Sequence, residues 1–176
     1  DETVPHGLKM HSALSFSRKK GGERNEMTEA VQETNSDATE CKLAAVSCGY
    51  WKDSFLQFMV PPAKRKVRKP PIINRGHFAR VSAIDFVIRR FIDLGGRQVV
   101  VLGAGFDTSF LRLGQNRKGS LWFELDLPPV SSAKASLLQT VPELRAALGG
   151  DSPACPSDGI WQWPSCGLSV ASADVS

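Results

Sequence analysis

A β-branched run, Gln98-Val99-Val100-Val101-Leu102, closed at once by Gly103-Ala104-Gly105, constrains this chain more than any other stretch of it. Continuous apolar residues without polar alternation read as a parallel strand buried on both faces. The glycines at its end read as a tight turn over which a ligand can approach the backbone with no Cβ in the way. Phe106 to Leu113 starts the following helix. Gly119-Ser120 then precedes a second strand, Leu121-Trp122-Phe123-Glu124-Leu125-Asp126, which Pro128-Pro129 stops. The order is strand, glycine turn, helix, strand, acid, the opening of a nucleotide-type α/β unit.

Each part of that order has a chemical use. The helix N-terminus behind the glycines is a place of positive potential. An acid ending the second strand can accept hydrogen bonds from ribose hydroxyls, and Asp126 lies 23 residues beyond Gly103, a suitable spacing. A dinucleotide enzyme normally adds a third glycine, in G-x-G-x-x-G, and Thr108 stands there. S-adenosylmethionine has no pyrophosphate to cradle, so a Gly-x-Gly turn with the acid suffices for it. The turn alone is equally compatible with a bare structural bend.

Upstream, Phe78, Val81, Ile84, Val87, Ile88, Phe91 and Leu94 recur at intervals of three and four. They predict a helix over 74–94 with one face packed on apolar material, ended by Gly95-Gly96. The 176 residues suit one domain rather than two of ordinary size. No run of about 18 apolar residues occurs, and Asp1 to Gly7 lacks the order of a secretory signal, so the cytoplasm or nucleus is the expected compartment. Cys41, Cys48, Cys155 and Cys166 have neither zinc-site spacing nor the density of a disulfide scaffold and read as free thiols. His6, His11 and His77 accompany no ligand cluster, and no metal site is expected.

Charge is local. Between Pro61 and Arg90 nine Lys/Arg face one acid, Asp85, although the whole chain carries a net charge of only +4. The core of this window, Lys64 to Lys69 between two Pro-Pro pairs, predicts an exposed connector. It is compatible with a nuclear-import signal, a patch for acidic partners or an ordinary solvated charge run. The window lacks the interleaved aromatic residues of a nucleic-acid stacking platform. Composition divides the chain into a polar arm over 1–27, a domain over 28–148 and a low-complexity tail over 149–176. Met27 opens a stretch that reads as a helix approach, so residues 1–26 are expected outside the functional domain. The tail, rich in Gly, Pro, Ser and isolated Trp, shows no period long enough to predict an element.

Five segments in order, Asp37-Ala-Thr-Glu-Cys-Lys42, Gly49-Tyr-Trp-Lys-Asp53, Ile73-Asn-Arg-Gly-His-Phe-Ala-Arg80, Leu102-Gly-Ala-Gly-Phe-Asp-Thr108 and Phe123-Glu-Leu-Asp126, resemble the leucine carboxyl methyltransferases. The resemblance covers roughly Thr34 to Leu127, about the first third of such an enzyme. It implies a class I S-adenosylmethionine-dependent methyltransferase, a Rossmann-like α/β fold, present here incompletely as N-terminal helices and a first βαβ unit. It implies methyl transfer to the C-terminal leucine carboxylate of the protein phosphatase 2A catalytic subunit. A sister branch acts in wybutosine modification of tRNA, and Gly49-Tyr-Trp-Lys-Asp53 sits closer to the carboxyl-methylating branch.

By the same resemblance Lys42 and Arg80 hold the cofactor carboxylate, Gly103 gives the backbone approach and Asp126 takes the ribose. The structural alternatives are an exposed helix lysine for Lys42 and an arginine beside the buried helix face for Arg80. Asp107 is open between helix cap and ligand contact. A carboxylate acceptor of pKa about 3.3–3.7 is ionised at neutral pH, so the transfer needs alignment and water exclusion rather than a base. No catalytic residue is therefore singled out. Val130 to Ser176 match none of the later strands, the adenine-contacting acid or the peptide pocket of such an enzyme. A two-stranded sheet with an open edge is expected, partly covered by a helix over 132–148. Two function classes follow: a truncated methyltransferase of doubtful activity, or a non-catalytic interaction protein.

Overall fold

The computed structural model describes residues 20–66, 68–117, 119–154 and 159–173. In chain order these form α1 (Lys20–Ser47), α2 (Pro71–Asp93), β1 (Gln98–Leu102), α3 (Ser109–Leu113), β2 (Leu121–Asp126), α4 (Pro128–Thr140), α5 (Pro142–Ala147), β3 (Ile160–Trp163) and β4 (Leu168–Ser172). Short 3-10 turns occupy Leu56–Met59, Pro62–Lys64 and Gly114–Arg117. No helix among the described residues is long and apolar enough to cross a membrane.

The sheet has strand order β1-β2-β4-β3, with β1, β2 and β4 parallel and β3 antiparallel at one edge. This corrects the two-strand expectation and the reading of 149–176 as a tail without elements. Gly159 and Gly167, at φ of +73° and +77°, each immediately precede one strand of the hairpin, and the turn closes where Gly167 N donates to Trp163 O at 2.9 Å. β4 then pairs with β2 from Trp122↔Leu168 to Asp126↔Ser172. Leu168 and Val170 alternate inward from β4, and Trp163 is fully buried on β3. The alternation is only two or three residues long, too short for a sequence period, yet sufficient once β2 offers a strand to pair with.

Apolar packing centres on Trp122 and Trp163, with Phe110, Leu138, Leu144, Leu148, Leu168 and Val170. The Phe110 and Trp122 rings meet edge to face, their centroids 5.6 Å apart. Pro128-Pro129 stops β2 as expected, but the same prolines open α4, where a first-turn proline loses no intrahelical bond. The helix expected over 132–148 is broken at Val141-Pro142 into α4 and α5. The polar arm is corrected in part: residues 1–19 lie outside the described residues, and Lys20 to Met27 are the first turns of α1.

Two further expectations fail together. β1 is an edge strand, with Val99 and Val101 half-buried against the core but Val100 and Leu102 57% and 68% exposed. It is not buried on both faces, because nothing among the described residues pairs with its far edge. α2 spans the expected helix and starts earlier, at Pro71, yet it buries only Asn74 and Ile92. Val87 and Leu94 on its apolar stripe stand 63% and 71% exposed. The helix closes as predicted, with Gly95 at φ +91° and the Phe91 ring lying so close over Gly96 that a Cβ there would fall 2.3 Å from it.

The basic connector lies on the surface beside α1. Lys64 pairs with Glu40 and Lys69 with Asp37, each at 2.8 Å, and Arg65 Nε donates to Val60 O. Lys66 and Arg68 remain exposed.

Candidate cofactor-binding site

The carboxyl ends of β1 and β2 lie side by side, and the glycine turn joins them. Ala104 N donates to Leu125 O at 3.1 Å, Gly105 N to Asp126 Oδ2 at 2.6 Å, and Leu127 N to Asp126 Oδ1 at 2.7 Å. Asp126 thus clasps the turn through one oxygen and its own strand end through the other, and each oxygen keeps a lone pair. Gly103 and Gly105 both adopt left-handed backbone, at φ +61° and +50°. They differ in what lies above them. A Cβ on Gly103 would meet nothing within 4 Å, whereas one on Gly105 would fall 2.2 Å from Asn35 Oδ1 of α1. That same oxygen accepts from Phe106 N at 3.3 Å. The open approach is over Gly103, and α1 closes the turn at Gly105.

α1 also delivers Lys42, whose Nζ stands 3.8 Å from Asp107 Oδ1. Of the two roles open for Asp107, the structure shows the local one: Oδ2 accepts from Ser109 N at 2.9 Å at the start of α3, while the carboxylate also faces Lys42. Burial pushes its pKa up, but Lys42, Lys134 and the Ser109 N–H outweigh burial and hold it below the usual carboxylate range.

Arg80 sits exposed on α2, sharing with His77, Gly76, Ile72 and Ile73 a surface cavity of about 270 Å³. His77 Nδ1 is buried and has no hydrogen-bond partner. Burial, and then the charges of Lys42 and Arg80, push His77 below its ordinary 6.5. Lys42 and Arg80 therefore act on the same imidazole, and Lys42 connects that cationic spot to the glycine turn. Among the described residues Asp126 bonds Gly105 N and Leu127 N, and no hydrogen bond or ion pair joins it to Arg80.

A pH dependence follows with a definite sign. The folded state resists protonating His77 while the unfolded chain accepts the proton near 6.5, so stability falls as pH drops below 6.5 and levels off beneath the depressed value. His77→Gln is expected to remove this loss, measured as the change in thermal midpoint between neutral pH and pH about 5. An unchanged pH profile in the variant would exclude the linkage.

Beneath the turn lie two buried polar clusters that sequence reasoning did not find. Asp53 Oδ1 accepts from Phe55 N and Leu56 N, both at 3.0 Å, and its Oδ2 accepts from Thr108 Oγ1 at 2.6 Å. Arg112 Nε stands 3.2 Å from Asp53 Oδ2, while its two terminal nitrogens bond both oxygens of Asp85 on α2. One guanidinium so ties α3, α2 and the Asp53 loop together. Burial pushes Asp53 up despite Thr108 and Arg112. In the second cluster Lys134 Nζ of α4 lies 2.5 Å from Glu124 Oε2 and donates to Asp107 O at 2.7 Å, with both side chains buried. Asp53 and Glu124 both fall within segments quoted for the resemblance. Their signal was a charged residue bounded by apolar neighbours, and nothing in the chain pointed to Arg112 or Lys134 as partners.

A second cavity, about 320 Å³, opens on Phe106 between α1, the Phe58–Pro62 stretch and α4. Among the described residues no group of three or more His, Cys, Asp or Glu could hold a metal.

These features define a Rossmann-like α/β unit, the class of fold whose members bind ligands at the carboxyl ends of their parallel strands. The model of the leucine carboxyl methyltransferase family matches residues 30–160, and the chain belongs to that family. It is 40% identical over 134 residues to leucine carboxyl methyltransferase 1 homolog of Arabidopsis thaliana, covering 74% of this chain and 40% of that protein. Leucine carboxyl methyltransferase 1 of Bos taurus is 38% identical over 119 residues, 66% of this chain and 35% of that one. tRNA wybutosine-synthesizing protein 4 of Rattus norvegicus is 35% identical over 143 residues, 73% of this chain and 20% of that one. The chain thus spans about 40% of the length of its Arabidopsis relative.

Proposed function

We propose that this chain forms the cofactor-binding part of an S-adenosylmethionine-dependent carboxyl O-methyltransferase whose acceptor is the C-terminal leucine carboxylate of the protein phosphatase 2A catalytic subunit. The observation that carries the reading is the convergence of α1, the glycine turn and the end of β2, where Asp126 holds Gly105 and Lys42 faces Asp107. The donor set suits the cofactor. Two cations, Lys42 and Arg80, match its carboxylate, an acid at a strand end matches ribose hydroxyls, and the space over Gly103 is free for it. When bound, S-adenosylmethionine supplies an activated methyl group on a sulfonium. Lys42 and Arg80 orient the amino-acid end through charge-assisted hydrogen bonds, and Asp126 orients the sugar. No residue of this chain has to remove a proton, because a carboxylate acceptor is already ionised at neutral pH.

Calorimetric titration of the 176-residue chain with S-adenosylmethionine tests this reading. Micromolar binding is expected, weakened about 10–100-fold in Arg80→Ala by loss of a charged hydrogen bond. Absence of heat in a sample folded by circular dichroism would overturn it. A second reading, a non-catalytic interaction protein, is favoured by the open edge of β1. The tRNA-modifying branch is the alternative for the acceptor, and the Gly49-Tyr-Trp-Lys-Asp53 segment speaks for the carboxyl-methylating one.

A further inference from the structure

His77 has no task among the roles given to Lys42, Arg80, Gly103 and Asp126, yet it shares the surroundings of the two cations. It precedes Arg80 by three residues on α2, so the two side chains are neighbours on one helix face. With Ile72, Ile73 and Gly76 they line the surface cavity of about 270 Å³. His77 Nδ1 is buried there with no hydrogen-bond partner among the described residues. A buried polar nitrogen without a partner is uncommon and costly, and it points to a group that comes from outside the chain.

The surroundings of the ring say what kind of group. Asn74, one turn earlier on α2, donates through Nδ2 to Lys69 O at 3.3 Å and to Sγ of Cys48, the residue after α1, at 3.7 Å. These bonds fix the start of α2 against α1, and the two helices pack along each other. The charged groups that act on His77 are Lys42 and Asp37 from α1, Arg80 from α2 and Lys69 from the basic connector, three cations against one carboxylate. That carboxylate is already engaged by Lys69 at 2.8 Å. The local balance is positive and complements an anion. Lys42 Nζ also stands 3.8 Å from Asp107 Oδ1 at the glycine turn, so an anion held here belongs to the end of a ligand that extends over Gly103.

We infer that His77 is a third cofactor-binding group, its Nδ1–H donating to the carboxylate of S-adenosylmethionine beside Lys42 and Arg80, and that this contact makes cofactor affinity rise on acidification. The inference rests on the cofactor reading proposed for this site. In the free chain burial, and then Lys42 and Arg80, hold His77 neutral to below its ordinary 6.5, with Asp37 opposing them. A carboxylate beside the ring offsets those cations and favours the imidazolium. The loaded site therefore takes up a proton from solvent at a higher pH than the free site does. Affinity rises as pH falls through the interval between the two values and levels off below the lower one. Each pH unit of that interval is worth about tenfold in affinity.

The test is calorimetry of the 176-residue chain with S-adenosylmethionine at pH about 7 and about 5.5, each in two buffers of different ionisation heat. Affinity is expected to tighten about 3–10-fold on acidification, with proton uptake read as a buffer-dependent heat. His77→Gln keeps a neutral donor, so it is expected to bind as the parent does at the higher pH and to show neither the tightening nor the uptake. Methylthioadenosine, which carries the nucleoside without the amino-acid end, is expected to bind the parent independently of pH. Proton uptake by the parent and this control decide the matter even where circular dichroism shows the variant unfolded. A parent that binds S-adenosylmethionine with flat affinity and no uptake overturns the role of His77 and leaves the cofactor reading standing. A rise that persists in folded His77→Gln, or that methylthioadenosine also shows, overturns it equally. Absence of S-adenosylmethionine binding at both pH values overturns the cofactor reading and the role of His77 together.

Discussion

Trp163→Ala is expected to destabilise the chain by about 3–5 kcal/mol, the usual cost of removing a large aromatic side chain from a core that cannot collapse around the space. Trp163 is fully buried on β3 and clusters with Trp122, Leu168 and Val170. Total stability of a single domain is about 5–15 kcal/mol, so this loss is at least about a fifth of it. Urea unfolding followed by far-UV circular dichroism measures it. Trp161, half-buried on the same strand, serves as comparison, and Trp161→Ala should cost clearly less. A Trp163→Ala variant within about 0.5 kcal/mol of the parent would mean that β3 and β4 do not belong to the core.

Lys134→Met is expected to cost about 3–5 kcal/mol, because it leaves Glu124 buried with no cation. The two groups meet at 2.5 Å, and Lys134 also satisfies Asp107 O beneath the glycine turn. Burial already pushes the Glu124 carboxyl above its ordinary 4.5 against the pull of Lys134, and removing the ammonium pushes it further up. The sign of the pH effect follows. In the variant the folded state holds a proton on Glu124 that the unfolded chain releases above 4.5, so stability rises as pH falls through the raised pKa and levels off below 4.5. Adding Glu124→Gln to Lys134→Met should recover part of the loss and flatten that rise. A single variant as stable as the parent at neutral pH would show that the pair contributes nothing to the fold.

The βα unit was legible because its signals are local. The run from Gln98 to Leu102, the glycines after it and the acid at Asp126 each declare themselves within a few residues, and the structure places them as strand, turn and strand end. The helix from Pro71 to Asp93 was equally plain from its spacing. Family membership, too, followed from short motifs in order, and residues 30–160 match the family model.

What sequence could not settle was which surfaces find partners. The stripe on α2 and the valines of β1 have the pattern of buried residues, but burial belongs to the neighbours, and among the described residues those neighbours are missing on the outer side. Ile160–Trp163 and Leu168–Ser172 were invisible for the converse reason. Four or five residues carry too little period to predict a strand, and they become strands because β2 offers an open ladder and the core accepts Trp163. Asp53 and Arg112 lie 59 residues apart, and Glu124 and Lys134 stand on different elements, so only folding could pair them. The sequence by itself determined the glycine turn, the strand-end acid and the lineage, since these depend on residue type and near spacing. Tertiary structure alone decided the sheet order, the buried ion pairs and the open face of β1, since these depend on which distant segments meet and on which surfaces no segment covers.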